Sequence, residues 1–313
     1  MIEVLAVDGG QSGVRARHSS SSALVEVDGV SRREGDTIDA IVVATAAAWT
    51  ELGSPVVDRA VLGLTTAPTD AAARDRLASS VASAIDADEV WVCDDTVTAH
   101  AGALAGDWGV SLRAGTGVAC LAVAEQGGEP VVVDGHGYLL GDDGAAFSIG
   151  RAGLRAVLRR LDGRGGSTAL TAAADARFGG LDDLHVRLHD HPRAVNEIAQ
   201  FSRDVVALAD EDAAATAIIA TAAAELAETV AAAVGAVDGQ NTVVPVALGG
   251  RLLDESPLLR ERLVAAIASV APVASMRAAA AEPLEGALGL GTAELPDRYG
   301  SRIHHFRRAS THA

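Results

Sequence analysis

Four short stretches of this chain carry residues whose types and spacing could do chemistry. In "LAVDGGQSGVRA", residues 5–16, an apolar run ends at Asp8 and passes into Gly9, Gly10, Gln11 and Ser12. In "RAGTGVA", Thr116 stands between Gly115 and Gly117. "VCDDTVTAHAGAL" puts two acids, Asp94 and Asp95, where a β-like run meets a helical one. "VDGHGYLLGDDG" brings Gly135, His136 and Gly137 close to Asp142 and Asp143, just before a helical run. Glycine-rich turns can aim several backbone N–H groups at an anion, and an acid at a strand end suits Mg²⁺, directly or through water. A carboxylate set against an alcohol can act as general base, which in-line phosphoryl transfer needs. Each stretch also has a plainer reading: a β-turn that binds nothing, a helix capped by Asp94 or Asp95, a solvated loop.

The chain has no lysine, because all 25 of its Lys+Arg residues are Arg. A Walker A loop is therefore excluded, and no G-x-G-x-x-G leads into a helix. Two glycine turns facing each other across a cleft could still hold a polyphosphate without that lysine.

Several further features bound the function. A length of 313 residues suggests two domains with a cleft between them. The formal net charge of −17 argues against a nucleic-acid partner, since a polyanion would be repelled. The N-terminus enters a strand at once, without a signal-peptide pattern, and no apolar run reads as a membrane span. The expectation is a cytoplasmic protein with no membrane partner. Cys93 and Cys120 lie in apolar runs without metal-ligand spacing and read as buried thiols. His185, His189 and His191 read as a solvated helix end, although the first two are spaced to face one metal.

The elements that must position these residues follow from periodicity. Residues 3–8 and 23–28 read as strands of a hairpin, 38–52 and 70–85 as helices, and 59–64 and 91–95 as strands of βαβ units. A second series opens at 111 with β-like runs around Gly115–Gly117, a weak internal duplication. Residues 149–234 read as mostly helical and 242–250 as a buried strand. Ser256 is expected to cap a helix with Pro257 at its first position. Residues 296–313 read as a flexible tail.

Taken together, the four stretches resemble the N-acetylglucosamine kinase family, within the group of BadF/BadG/BcrA/BcrD-type ATPases and the sugar kinase, Hsp70 and actin superfamily. The resemblance runs from about residue 3 to 292. It implies an α/β fold of two ribonuclease H-like, actin-like ATPase domains with an interdomain cleft: 1–109 with a returning helix at about 283–293, and 110–282 on the nucleotide side. Asp8, Gly9, Gly10, Gln11 and Ser12 correspond to the family's first phosphate motif, and Asp94 and Asp95 to its N-D motif, which makes Asp95 the base. Gly115, Thr116 and Gly117 correspond to the second phosphate loop, and Gly249, Gly250 and Ala207 to the adenosine side. Gly135, His136, Gly137 and Asp142 correspond to sugar-binding segments, with Asp36 as a further substrate position and Asp8 as the Mg²⁺ site.

The departures are Gln11 for Gly, Asp94 for Asn, His136 for Trp and Asp143 for Glu. Asp94 would raise the pKa of its neighbour if both acids are buried. The implied activity is ATP- and Mg²⁺-dependent phosphorylation of the 6-hydroxyl of an amino sugar: N-acetylglucosamine, glucosamine or N-acetylmuramic acid. The implied assembly is a homodimer. Two other readings are a sugar or nucleotide sensor without catalysis, and an activator ATPase sharing an iron–sulfur cluster, which would need exposed cysteines.

Overall fold

The computed structural model describes residues 2–10, 13–29, 37–65, 67–237, 242–292 and 298–309. In chain order, β1 (Val4–Gly9), β2 (Gly13–His18) and β3 (Leu24–Asp28) form an antiparallel meander. α1 (Thr37–Glu51), β4 (Arg59–Leu64), α2 (Ala71–Ala84) and β5 (Glu89–Asp94) follow, with β4 parallel to both β1 and β5. α3 (Asp95–Ala103) begins where β5 ends. β6 (Gly109–Ala114), β7 (Val118–Val123) and β8 (Val131–Val132) open the next series. Its helices are α4 (Ala146–Leu161), α5 (Leu170–Phe178), α6 (Leu184–Asp190), α7 (Ala194–Gln200), α8 (Ser202–Ala207) and α9 (Ala213–Val237). β9 (Val244–Gly249), α10 (Arg251–Glu255), α11 (Pro257–Val270) and β10 (Ala274–Arg277) complete it, and α12 (Pro283–Thr292) and β11 (Ile303–Arg307) close the chain.

The strand orders are β11-β5-β4-β1-β2-β3 in one sheet and β10-β9-β6-β7-β8 in the other. Setting β11 aside, both sheets run third-second-first-fourth-fifth, so the duplication faint in sequence is explicit in topology. The chain divides into two compact units, Met1–Ser111 with Leu121–Val131 and Arg277–Ala313, and Leu112–Cys120 with Val132–Met276. Residues 121–131, expected in the second domain, group with the first unit. The C-terminal segment holds them there: Ser301 Oγ donates to Glu129 Oε1 at 2.6 Å and Arg302 to the Pro130 carbonyl at 2.9 Å.

Four expectations need correction. β2, "GVRARH", is a strand between β1 and β3 although Arg15, Arg17 and His18 dilute its apolar content. It nevertheless alternates, burying Val14 and Ala16. The tail is not free over its whole length, because β11 extends the first sheet beyond β5 and Phe306 packs on that unit's core. Its two adjacent histidines concealed the alternation. α9 is long and apolar enough to span a membrane, 25 residues with a mean hydropathy of 1.6 over its best window. Half of that window is buried inside the protein, which is how a core helix passes the same test. Ser256 does sit at the N-cap of α11, with Pro257 following, but its side chain makes no capping bond.

α12 shows how small residues bring elements together in the first unit. A Cβ at Gly286 would lie 2.0 Å from the Thr98 carbonyl oxygen, and one at Gly102 would lie 2.4 Å from that of Glu282. Glycine at both positions lets α12 and α3 cross at backbone contact.

Candidate active site

In the first unit, parallel pairing aligns Asp8 with Gly63, and Leu64 with Asp94, so β1, β4 and β5 end at one level. Polar groups gather beyond that level, where open parallel sheets commonly bind ligands. Asp94 takes the capping role: its Oδ1 accepts the Thr96 N–H at 3.0 Å and the Thr96 hydroxyl at 2.8 Å. Asp95 is thereby left available at the first helical position, half-buried, with its Oδ2 accepting the Thr65 hydroxyl at 2.6 Å. The capping role thus falls to Asp94 alone, and Asp95 carries no cap bond. Burial raises the Asp95 carboxyl to a pKa of about 7, Asp94 and Asp8 push the same way, and the Thr65 bond opposes them.

Asp8 faces Arg15 across the β1–β2 ladder, and the two side chains form an ion pair. The hairpin between them closes through the Gly10 N–H to the Gly13 carbonyl at 2.9 Å, while the Gly9 carbonyl accepts the Thr65 N–H at 3.0 Å. Gln11, Ser12 and Asp36 lie outside the described residues. Arg15 and Thr65 were missed in the sequence. Their only signals were an Arg in register with Asp8 on an alternating strand and a hydroxyl residue directly after β4.

No group of three His, Cys, Asp or Glu among the described residues forms a metal cage. Mg²⁺ does not require one, since it is commonly held by one or two carboxylates together with substrate phosphates. Asp8, a hard oxygen donor whose charge is felt at Asp95, fits that use, although its carboxylate is shared with Arg15.

In the second unit the Gly115 N–H donates to the Gly117 carbonyl at 2.9 Å. The carbonyls of Gly115 and Thr116 accept the N–H groups of Ala146 and Phe147 at 2.9 and 3.2 Å, so this turn satisfies the start of α4. The Thr116 side chain is exposed. Gly117 is required, because a Cβ there would lie 2.4 Å from Asp142 Oδ2.

Asp142 is buried, at a backbone φ of +59°. Its carboxylate accepts N–H groups from Val118 and Gly137, and its own N–H donates to Asp134 Oδ1 at 2.9 Å. Burial, reinforced by Asp134, holds its pKa above the ordinary value. Its carboxylate shapes the loop, and the groove beside it is lined instead by Asp134, His136, Asp143, Glu225, Glu228 and Thr229, among others. Gly135 and His136 are exposed at its rim, and Gly137 has a left-handed φ of +81°. Glu225 and Glu228, on α9, had no signal linking them to that loop.

Gly249 ends β9, and Gly250 follows it at the start of α10. Gly250 has a φ of +96°, and a Cβ there would lie 2.6 Å from the Ala114 carbonyl oxygen. This glycine pair thus abuts the residue preceding Gly115. Ala207 is exposed at the end of α8. His185, His189 and His191 are all exposed. Cys93 and Cys120 are buried, and burial pushes both thiols well above their ordinary pKa, Cys120 to about 12. Neither is presented as a cluster ligand.

The fold is shared with solved structures. Two are described as "Putative N-acetylglucosamine Kinase". The one from Chromobacterium violaceum has 24% identity and a TM-score of 0.71, over 93% of this chain and 99% of that one. The one from Porphyromonas gingivalis has 16% identity and a TM-score of 0.71, over 93% and 98%. A ROK family glucokinase from Streptomyces griseus, in complex with glucose and AMPPNP, has 16% identity and a TM-score of 0.57, over 92% and 98%. No curated protein sequence matches this chain. The model of one ATPase family matches residues 6–291, which includes nearly all of the four motif stretches and continues almost to the end of α12. The chain belongs to the BadF/BadG/BcrA/BcrD ATPase family.

Proposed function

We propose that this chain is an ATP-dependent carbohydrate kinase that phosphorylates the 6-hydroxyl of an amino sugar, with N-acetylglucosamine the first candidate and glucosamine and N-acetylmuramic acid the others. The observation that carries the reading is Asp95: a half-buried carboxyl at a strand end, released from capping by Asp94, with a pKa of about 7. A general base serves best with a pKa near the working pH, so that it is both ionised and basic enough to accept a proton. The family match supports ATP use, and the shared fold of sugar kinases supports a carbohydrate acceptor.

Asp95 Oδ2 would accept the proton of the sugar hydroxyl as that oxygen attacks the γ-phosphoryl group, with the Thr65 hydroxyl holding the carboxylate in orientation. The turns at Gly9–Gly10 and Gly115–Gly117 are the phosphate-binding elements of this reading, and Gly249, Gly250 and Ala207 the adenosine-side ones. Mg²⁺ held near Asp8 would supply positive charge to the phosphates. Arg15 would exchange Asp8 for a phosphate oxygen, replacing the lysine that the chain lacks. His136 and the Asp143 side of the groove are the proposed sugar contacts. The reading places the chain in the cytoplasm, where ATP is available, and as a homodimer.

A coupled ADP assay with ATP, Mg²⁺ and a panel of these sugars tests the assignment. Sugar-dependent ADP release lost in Asp95→Asn is the expected result. Sugar binding by calorimetry with no ADP release from any of them would instead identify a sensor.

A further inference from the structure

The C-terminal segment grips both elements that meet at Asp95. β11 pairs with β5 so that Ile303 lies opposite Cys93, the residue before Asp94. Upstream, Tyr299 is 2% exposed and reaches α3, where its hydroxyl lies 3.0 Å from Nδ1 of His100. The two rings meet edge to face with centroids 5.7 Å apart. His100 is fully buried, and its Nε2 lies 3.1 Å from the Gly109 carbonyl oxygen.

A carbonyl can only accept, so Nε2 carries the imidazole proton, Nδ1 is the acceptor, and the Tyr299 hydroxyl donates. Burial lowers the His100 pKa to about 4, which keeps this neutral tautomer in place. Both ring nitrogens are therefore committed, one to the chain after α3 and one to the C-terminal segment. α3 is only nine residues long, and Asp95 is its first. The glycine crossing with α12 touches α3 at Thr98 and at Gly102, on either side of His100, so the His100 bonds and that crossing together set the axial position of the helix whose first residue is Asp95.

We propose that Tyr299, acting through His100, is a positioning residue for Asp95. The inference rests on Asp95 being the base. Tyr299→Phe is the informative variant, because it keeps the ring packing and removes only the O–H donor, stranding a buried acceptor. Loss of that bond should lower kcat by about tenfold, with KM for ATP and for sugar within about twofold of wild type. Sugar phosphate formed per ADP should fall as well, since hydrolysis by stray water does not need an aligned sugar hydroxyl.

His100→Gln, which can still donate to Gly109 and accept from Tyr299, should retain most of the activity. His100→Leu, which can do neither, should not. A Tyr299→Phe protein with a lowered melting temperature but unchanged kcat and unchanged product ratio overturns the inference and leaves a purely structural contact. A wild-type protein that turns over no sugar overturns the kinase reading and this inference together.

Discussion

The two units share a strand order but use their equivalent turns differently. In the first, the polar groups beyond the strands are ionisable side chains: Asp8 against Arg15, Asp94 on the helix cap, and Asp95 with its raised pKa. In the second, the corresponding turn from β6 to β7 presents backbone and an exposed Thr116. Its nearest acid, Asp142, is turned inward to bind the N–H groups of Val118 and Gly137. One duplicated frame therefore presents ionisable side chains in one half and shaped backbone in the other. The difference shows that a carboxylate beside a glycine turn is not by itself a reactive group, because its hydrogen-bond partners decide its use.

That comparison can be broken by substitution. The largest effect is expected from Asp95→Asn, which should lower kcat by a factor of about 10²–10⁴ while nucleotide affinity, read by calorimetry, changes little. Its consequence for stability has the opposite sign. The native pKa of about 7 lies above the ordinary Asp value of about 3.9, so the fold favours the protonated acid. That contribution is complete below about pH 4 and is lost as pH rises through 7. Asp95→Asn should therefore melt higher than wild type at pH 8, with the advantage shrinking toward pH 4. In the wild type, kcat/KM should rise with pH and level off above about 7.

Gly250→Val comes next, since it combines a φ of +96° with a clash against the Ala114 backbone. It should cost about 1–3 kcal/mol in denaturant unfolding and weaken nucleotide binding. Arg15→Ala should weaken ATP binding by about tenfold, the equivalent of one charge-assisted hydrogen bond. Asp142→Asn should cost about 1 kcal/mol of stability, because one N–H partner is lost, with turnover nearly retained. Turnover as low as that of Asp95→Asn would show that the second unit's acid is chemical after all.

Much of this arrangement was legible beforehand where local pattern and chemistry coincide. β1, β4 and β5 are largely apolar runs, α2 falls inside the helix expected at 70–85, and the four motif stretches fall at turns or strand ends. What could not be read depends on partners distant in sequence. The division of labour between Asp94 and Asp95 is set by Thr65 and Thr96. The ion pair of Asp8 depends on a strand that its own arginines disguised. The inward turn of Asp142 depends on Asp134, Val118 and Gly137, and the acidic wall facing His136 comes from α9.

Cys93 gives the C-terminal segment a measurable property. Its thiol donates to the Leu62 carbonyl at 3.5 Å, and its residue is paired on one side with Gly63 of β4 and on the other with Ile303 of β11. Because the side chain is buried, a reagent that labels free thiols can reach it only when the structure packed around β5 opens. In a Cys120→Ser variant, which leaves Cys93 as the one thiol, the labelling rate is therefore a clock for local opening around β5, readable without turnover.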